Sequence, residues 1–284
     1  MNKYIFTFLF IFVSLSSFAG ISVSEKKALV SIYQSLNGKN WNTKWDLNKP
    51  ETTWFGVQIA NNKVIALDLS NNNLTGTLPV ELGQLVHLQK LNLFKNNIEG
   101  QIPNVFGSMK DLQVLNLAFN KLSGVLPNSF VEASSLKSID LYMNQLSGEL
   151  PAQIGKLQQL ENLSLYNNNF SGELPKSIYE LKNLKVLLLS SNSFSGRLSY
   201  EIENLKALEN LSLFENNFVG QVPFELESLT HLKEMNISYN KFNGLISYAL
   251  AKKDSFQMMM LNDKGVAYKL PLVTDNTGVV GSPD

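Results

Sequence analysis

The residue types that most often carry chemistry are few in this chain and lie far apart. There is no cysteine, and the two histidines, His87 and His231, are separated by six of the 24-residue repeats described below. At about 4.8 Å per repeat, the histidines lie roughly 29 Å apart and cannot share a metal ion. Asp68 and Asp140 are three repeats apart, about 14 Å, which is too far for a catalytic carboxylate pair. The sequence therefore predicts no enzyme, no metal site and no cofactor.

Composition excludes several classes of partner. The 284 residues include 24 basic and 24 acidic ones, so the formal net charge is zero. Binding to nucleic acid needs a basic face, and the chain offers no basic surface for an anionic membrane either, so neither partner is predicted. The lack of cysteine also excludes disulfides and thiolate zinc sites.

A repeat of 24 residues positions the side chains that could bind a ligand. Residues 64–87 read VIALDLSNNNLTGTLPVELGQLVH, and the marker residues return in residues 88–111. A fixed period of this length is typical of a stacked repeat array. Eight units fill residues 64–255, and each has an asparagine at the same place: Asn72, Asn96, Asn120, Asn144, Asn168, Asn192, Asn216 and Asn240.

Each marker residue has a structural role. Leu67 and Leu69 are two positions apart, so on a strand they point into one shared interior, and the residues between them point outward. The amide of Asn72 can pair with backbone groups that the following turn leaves unpaired. Gly76 suits a turn that a Cβ atom would hinder, and Pro79 favours an extended segment. Because one repeat cannot bury its own leucines, the repeats must stack with their strands parallel.

The pattern L-x-x-L-x-L-x-x-N-x-L-x-G-x-[LI]-P resembles the plant-type leucine-rich repeat family. The resemblance implies an α/β solenoid, with parallel strands on a concave face and extended or 3-10 segments on a convex face. It also implies that the chain binds polypeptides. The buried position two residues after the repeat asparagine is aliphatic in the first four repeats and phenylalanine in the last four: Phe170, Phe194, Phe218 and Phe242. These residues predict a stacked aromatic spine on the convex side of the core.

The first 63 residues carry two predicted segments. Residues 1–19 are predicted to be a secretory signal peptide, because Lys3 precedes an apolar run over residues 4–15 that is short for a membrane span. The mature chain is then expected to be secreted, periplasmic or on the cell surface. Residues 20–63 are predicted to be a helical N-terminal cap. Its helix covers residues 21–38, with capping-box spacing between Ser22 and Glu25 and with Gly38 at the C-terminal stop.

All three tryptophans of the chain, Trp41, Trp45 and Trp54, lie in this cap. The segment around Trp54-Phe55-Gly56-Val57 resembles the N-terminal cap of secreted bacterial leucine-rich repeat proteins. Plant extracellular relatives usually close their ends with cysteine pairs, so the absence of cysteine also favours a bacterial relative. The tryptophans are interpreted as the core of the cap, with a sugar-stacking site as the alternative.

The repeat weakens after residue 255. Phe256, Met259 and Leu261 still match the leucine positions, but Lys264 stands where the turn asparagine is expected. Residues 256–284 are therefore predicted to contain a partial ninth strand and one further strand within residues 265–273. A polar tail over residues 274–284 is predicted to follow.

The outward strand positions form columns that run along the array. Exposed aromatic side chains beside polar ones are typical anchors of protein interfaces. The columns place eight large apolar or aromatic residues outward: Phe94, Phe119, Tyr142, Met143, Tyr166, Leu188, Phe214 and Tyr239. The alternative role for these side chains is to pack over neighbouring repeats. These are the predicted ligand-binding residues, and the patch is centred on Tyr142 and Tyr166.

Three functions fit this surface. The first is a secreted or surface recognition module that binds a protein or peptide on the concave face, as the family resemblance implies. The second is binding of a carbohydrate or surface polymer, with the aromatics as stacking platforms and the asparagine-rich columns as hydrogen-bond donors. The third is adhesion or ice binding through rows of asparagine, although other residues interrupt one such row: Lys121, Gln145, Ser193 and Lys241.

Overall fold

The computed structural model describes residues 20–254, 258–262 and 264–273, together with the backbone of residues 279–280. The predicted signal peptide and Phe256 lie outside these ranges. Within them, no helix has the length and apolar character needed to cross a membrane.

Nine strands form the main sheet, and its outward side is the concave face. The first strand is antiparallel to the second, and the other eight run parallel, as the repeat predicts. Each residue faces the one 24 positions later, so that Leu67 lies beside Leu91, and both are fully buried. The strands are Val57–Ala60, Lys63–Asp68, Lys90–Asn92, Val114–Asn116, Ser138–Asp140, Asn162–Ser164, Val186–Leu188, Asn210–Ser212 and Glu234–Asn236.

A second sheet of eight parallel strands follows the asparagine turns, where the sequence analysis predicted extended or 3-10 segments and did not predict a sheet. Here each residue faces the one 22 positions later, as Ser171 faces Ser193, so the strands are offset by two residues from the repeat. An even offset keeps the same side chains on the inner face. The strands are Thr75–Thr77, Asn97–Gln101, Lys121–Gly124, Gln145–Gly148, Asn169–Glu173, Ser193–Arg197, Asn217–Gln221 and Lys241–Asn243.

Short 3-10 helices connect the second sheet to the next strand of the concave sheet. Pro79 is extended (φ −79°, ψ 152°) and directly precedes the first of them, which agrees with the predicted role of the proline. The helices in the repeats are Val80–Gln84, Phe106–Ser108, Asn128–Glu132, Ile154–Lys156, Lys176–Glu180, Tyr200–Asn204 and Phe224–Ser228, and those in the cap are Gly38–Asn40 and Glu51–Thr53.

The predicted aromatic spine is confirmed. The four phenylalanine side chains are fully buried. Phe170 and Phe194 stack with ring centroids 6.0 Å apart and planes at 6°, and Phe218 and Phe242 stack at 5.9 Å and 2°. Stacked rings add about 0.5–1.5 kcal/mol per pair beyond the area that they bury.

The side chain of each turn asparagine joins two repeats. Asn168 donates from Nδ2 to the carbonyl of Leu165 in its own repeat and to that of Leu141 in the preceding one, both at 3.0 Å. Its Oδ1 accepts the backbone N–H of Leu146, also at 3.0 Å. The amide therefore satisfies buried backbone groups on both sides of the turn, as the sequence predicts.

The N-terminal helix, α1, covers Val23–Ser35 and starts with the predicted capping box. It ends three residues before the predicted stop at Gly38. The left-handed residue that follows the helix is Asn37 (φ 57°), not Gly38. Asparagine accepts this conformation more readily than most residues, because its short polar side chain can hydrogen-bond locally.

The three tryptophans form the core of the cap, as interpreted from the sequence. Their exposed fractions are 1, 4 and 3% for Trp41, Trp45 and Trp54. Each indole N–H is bonded to a carbonyl, and Trp45 stacks on Trp54 with ring centroids 4.8 Å apart. The alternative of a sugar-stacking site is wrong, because buried rings offer no face to a sugar.

The end of the array differs from the predicted ninth strand. The strand Met259–Leu261 forms, but it pairs antiparallel with Ala267–Lys269. Met258 and Met260 are buried, whereas Met259 and Leu261, the predicted inward residues, are only half-buried. The pattern has therefore slipped by one residue.

Asp254 accompanies the slip. Its buried carboxylate accepts the backbone N–H of Ile237 at 2.7 Å and the hydroxyl of Ser238 at 3.0 Å. In the preceding repeat, the N–H of Leu213 donates instead to the carbonyl of Asn236 on the next strand. At this position a side-chain carboxylate thus replaces the backbone carbonyl of a next strand, whereas the N–H groups of Met235 and Tyr239 still donate to the backbone carbonyls of Lys253 and Met259.

The remaining C-terminal elements form a small separate sheet. Ile246–Ser247 pairs with Leu272–Val273, which also pairs with Val279–Val280, and a second helix, α2, covers Tyr248–Ala251. Residues 265–273 therefore hold parts of two strands rather than one. The predicted tail holds one strand, and its other residues lie outside the described ranges.

Asn168→Ala should destabilise the array by at least about 2 kcal/mol, because it leaves buried backbone groups unpaired. The neighbouring Asn169 is exposed, so Asn169→Ala is the matched control and should change stability by less than about 0.5 kcal/mol. Urea denaturation followed by circular dichroism measures both. Equal midpoints for the two variants would contradict the role of the buried amide.

Candidate ligand-binding face

All eight predicted binding residues lie at the surface. Phe119 is exposed, and the other seven are half-buried. The structure does not unite them in one patch but divides them into separate groups along the array. Their role in binding stays a prediction.

Four of the predicted residues form a continuous ring cluster: Phe94, Phe119, Tyr142 and Tyr166. Tyr142 and Tyr166 stack with ring centroids 4.5 Å apart and planes at 8°. Phe94 lies 6.4 Å from Tyr142 and 6.1 Å from Phe119. Phe94 and Tyr142 can meet across the repeat between them because the equivalent residue there is the small, fully buried Ala118.

Three of the predicted residues lie in a turn, whereas the sequence analysis placed them on a strand. Phe119, Met143 and Tyr239 have left-handed conformations (φ 60°, 55° and 57°), so they belong to the turn after the strand and not to the strand. Phe119 and Met143 line an open depression of about 520 Å³ beside the concave face, together with Lys95 and Lys121. They therefore form the edge of the concave face rather than its floor.

The other predicted residues lie nearer the C-terminal end. Phe214 and Tyr239 meet edge to face with ring centroids 5.2 Å apart. One repeat lies between this pair and the ring cluster, and its equivalent residue is Ser190, whose hydroxyl lies 2.6 Å from that of Ser212 in the repeat of Phe214. Leu188 lines a separate open depression of about 510 Å³, so it does not extend the ring cluster.

Asp140 is a functional candidate that the sequence analysis did not assign to the patch. Its carboxylate accepts hydrogen bonds from Ser138 and from Asn162, both at 2.9 Å. Among the described residues it forms no ion pair. Asp140 and Tyr142 are two residues apart and both point outward. Burial raises the pKa of Tyr142 and of Tyr166, and the Asp140 charge raises the pKa of both further. Its position two residues before Tyr142 is the feature of the sequence that could have assigned Asp140 to the patch.

Asp68, the equivalent acid three repeats earlier, is held differently. It accepts hydrogen bonds from Lys90 at 3.2 Å, from Asn92 at 2.9 Å and from Ser70 at 2.8 Å. Burial raises the pKa of Asp68, but the bonds from Asn92, Ser70 and Lys90 outweigh burial and lower the pKa below its usual value. This carboxylate is neutralised within the chain, so Asp140 is the better candidate for meeting a cation from a ligand.

The histidines bind locally and do not converge. The ring of His87 lies 3.1 Å from a carboxylate oxygen of Asp111, and that of His231 lies 3.0 Å from the carbonyl of Lys206. No group of three or more acidic, histidine or cysteine residues in the described ranges is placed to hold a metal ion.

Comparison with known proteins identifies the repeat. Leucine-rich repeat models match residues 63–85, 87–109 and 100–146, and a model of a leucine-rich repeat region matches residues 131–256. The LRR ectodomain of the receptor kinase SOBIR1 from Arabidopsis thaliana is 33% identical, covers 61% of this chain and 95% of its own, and has a TM-score of 0.52. The chain belongs to the leucine-rich repeat family. This confirms the fold predicted from the pattern.

Two longer plant receptors are also similar. The plant peptide hormone receptor RGFR1, solved in complex with RGF2, is 32% identical over 74% of this chain and 32% of its own, with a TM-score of 0.66. The second is the LRR ectodomain of the plant membrane receptor kinase GASSHO1/SCHENGEN3 from Arabidopsis thaliana, solved in complex with CASPARIAN STRIP INTEGRITY FACTOR 2. It is 26% identical over 87% of this chain and 30% of its own, with a TM-score of 0.77. The chain spans about a third of the length of these two receptors. A bacterial relationship stays a prediction.

The tyrosine stack should make the stability of the leucine-rich repeat array fall at high pH. Because the folded pKa of Tyr142 and of Tyr166 is raised above the usual value of about 10, their contribution is present below that pH and is lost as the pH rises through the folded pKa. Tyr142→Phe/Tyr166→Phe should lose less stability than the wild type between pH 8.5 and 11 in urea denaturation. Tyr179, whose pKa burial also raises, stays in both proteins, so equal losses would contradict the prediction.

Proposed function

We propose that this protein is an extracellular recognition module that binds a protein or peptide ligand on its concave face. The ring cluster carries the proposal, because four rings linked in a row by successive contacts lie on an open face with a carboxylate, Asp140, that has no ion pair among the described residues. Contiguous exposed aromatic surface of this kind usually marks an interaction site. The proposed role is therefore binding and not catalysis.

The chemistry of the cluster favours a ligand that is an extended peptide segment with apolar side chains and one positively charged side chain. The rings span four repeats, about 14 Å at 4.8 Å per repeat, which is the length of roughly four extended residues. Aromatic side chains anchor apolar groups, and Asp140 provides a charge that arginine or lysine would meet. The similar receptors RGFR1 and GASSHO1/SCHENGEN3 were solved with bound partners, and RGFR1 is a peptide hormone receptor, which supports a polypeptide ligand.

The alternatives have less support. Tyr142 and Tyr166 face each other at 4.5 Å, so each ring has at most one face left for a sugar. The side-chain oxygens of Asn92 and Asn116 accept backbone N–H groups two residues later, and Nδ2 of Asn92 donates to Asp68 at 2.9 Å, so the asparagine column offers a glycan fewer free groups than its composition suggests. Ice binding and adhesion stay predictions.

The proposal can be tested by selecting a displayed library of natural peptide segments on the purified chain and measuring the affinity of selected peptides by calorimetry. Tyr142→Ala and Tyr166→Ala should each weaken binding by at least about ten-fold, because buried aromatic anchors contribute most of the energy of an interface. Asp140→Asn should weaken the binding of peptides that contain a basic residue.

The control is Val125→Ala, which removes an exposed apolar side chain away from the ring cluster. It should leave the affinity unchanged. Peptides that bind the ring variants as well as the wild type would refute the concave site. Binding on a glycan array that disappears with Tyr142→Ala would favour the carbohydrate alternative instead.

A further inference from the structure

A second exposed aromatic surface lies on the helical side of the last three repeats. Tyr200, Phe224 and Tyr248 are spaced by 24 residues and each is the first residue of its helix. Their exposed fractions are 65, 46 and 57%. The three helices are successive neighbours in the stack, so the side chains form one column. We call these three residues the helix-side column.

The repeat itself does not require aromatic residues at this position. The earlier repeats have small, polar or basic residues there: Val80, Asn104, Asn128, Ala152 and Lys176. A large ring that is more than half exposed, such as Tyr200, adds little to the core. The helix-side column is therefore a local surface feature that the packing of the array does not explain.

Carboxylates accompany the rings. In a 3-10 helix, residues three apart lie on the same side, and Glu203 and Glu227 follow Tyr200 and Phe224 at this spacing. One more glutamate follows each ring directly. Within the ranges that the structure describes, none of the four takes part in an ion pair: Glu201, Glu203, Glu225 and Glu227.

The third ring of the column already carries a cation. The Nζ atom of Lys252 lies over the ring of Tyr248, 4.5 Å from its centroid. A cation at this distance is attracted to the negative face of an aromatic ring. No lysine or arginine follows Tyr200 or Phe224 at the equivalent place, where the sequence has Asn204 and Ser228, although Lys206 of the preceding repeat donates to the Ser228 hydroxyl at 3.3 Å.

We propose that the helix-side column and its four glutamates bind a basic segment of a partner protein. Arginine or lysine side chains of the partner stack on Tyr200 and Phe224, as Lys252 does on Tyr248, and pair with Glu203 and Glu227. Arginine suits both contacts best, because its planar guanidinium stacks on rings and binds carboxylates in a bidentate manner. This surface is separate from the concave face, so the two proposals stand or fall independently.

The test is the binding of a fluorescein-labelled decapeptide of alternating arginine and glycine to the full chain, followed by fluorescence anisotropy at low ionic strength. The wild type should bind it saturably. Tyr200→Ala/Phe224→Ala should weaken binding by at least about ten-fold. Glu203→Gln/Glu227→Gln should also weaken it and should reduce its dependence on salt. Circular dichroism checks the fold, and the two variants test the rings and the charges separately.

Glu149→Gln/Glu173→Gln is the matched control, because both residues are exposed and the change in net charge is the same. It should leave the affinity unchanged, and a decapeptide of alternating glutamate and glycine should not bind. Unchanged affinity in the ring variant, or an equal loss in the charge control, would overturn the proposal. Loss of binding in Asp140→Asn alone would place the basic peptide on the concave face. Glycan binding through Tyr200 and Phe224, without peptide binding, would make this a carbohydrate surface.

Discussion

The structure depends on hydrogen bonds that each repeat completes only with the help of its neighbour. The Oδ1 atom of Asn144 accepts the N–H of Leu122 in the preceding repeat, and its Nδ2 donates to carbonyls in both. A repeat in isolation would leave these groups unpaired, at a cost of about 1–3 kcal/mol each when buried. The array therefore needs substitutes at its ends. Thr43 of the cap pairs with the amide of Asn72, and the carboxylate of Asp254 accepts the N–H of Ile237 at the other end.

Because the backbone is satisfied inside the stack, the outward positions are free to vary from repeat to repeat. The chain uses this freedom in two places. On the concave face, a small residue at Ala118 lets rings from the second and fourth repeats meet. On the helical side, Tyr200 and Phe224 appear only near the C-terminal end, where neighbouring glutamates give the surface a negative charge.

Local charge matters more than the net charge of zero. Several exposed glutamates are paired with a lysine one repeat later, as Glu161 is with Lys185 at 2.7 Å and Glu132 is with Lys156 at 2.8 Å. Such exposed pairs contribute little stability, typically about 0–1 kcal/mol, but they neutralise the surface. Asp140 has no such lysine partner among the described residues, so its charge remains available to a ligand. The overall composition predicts no nucleic-acid partner, but it does not reveal such local sites.

The sequence by itself determined the repeat, the parallel stack and the buried positions. Residues such as Leu67, Asn72 and Phe194 have roles set by their own repeat and an identical neighbour, so the period is sufficient to predict them. Only the tertiary structure decided which outward side chains touch, because ring contacts such as Phe94 to Tyr142 depend on what lies between two repeats. The slip at Met258 was equally hidden from the pattern, since the N–H of Ile237 donates to the side chain of Asp254 and not to a backbone carbonyl one repeat later. The exposure and the contacts of a side chain depend on several repeats and the caps together, whereas the period describes a single repeat.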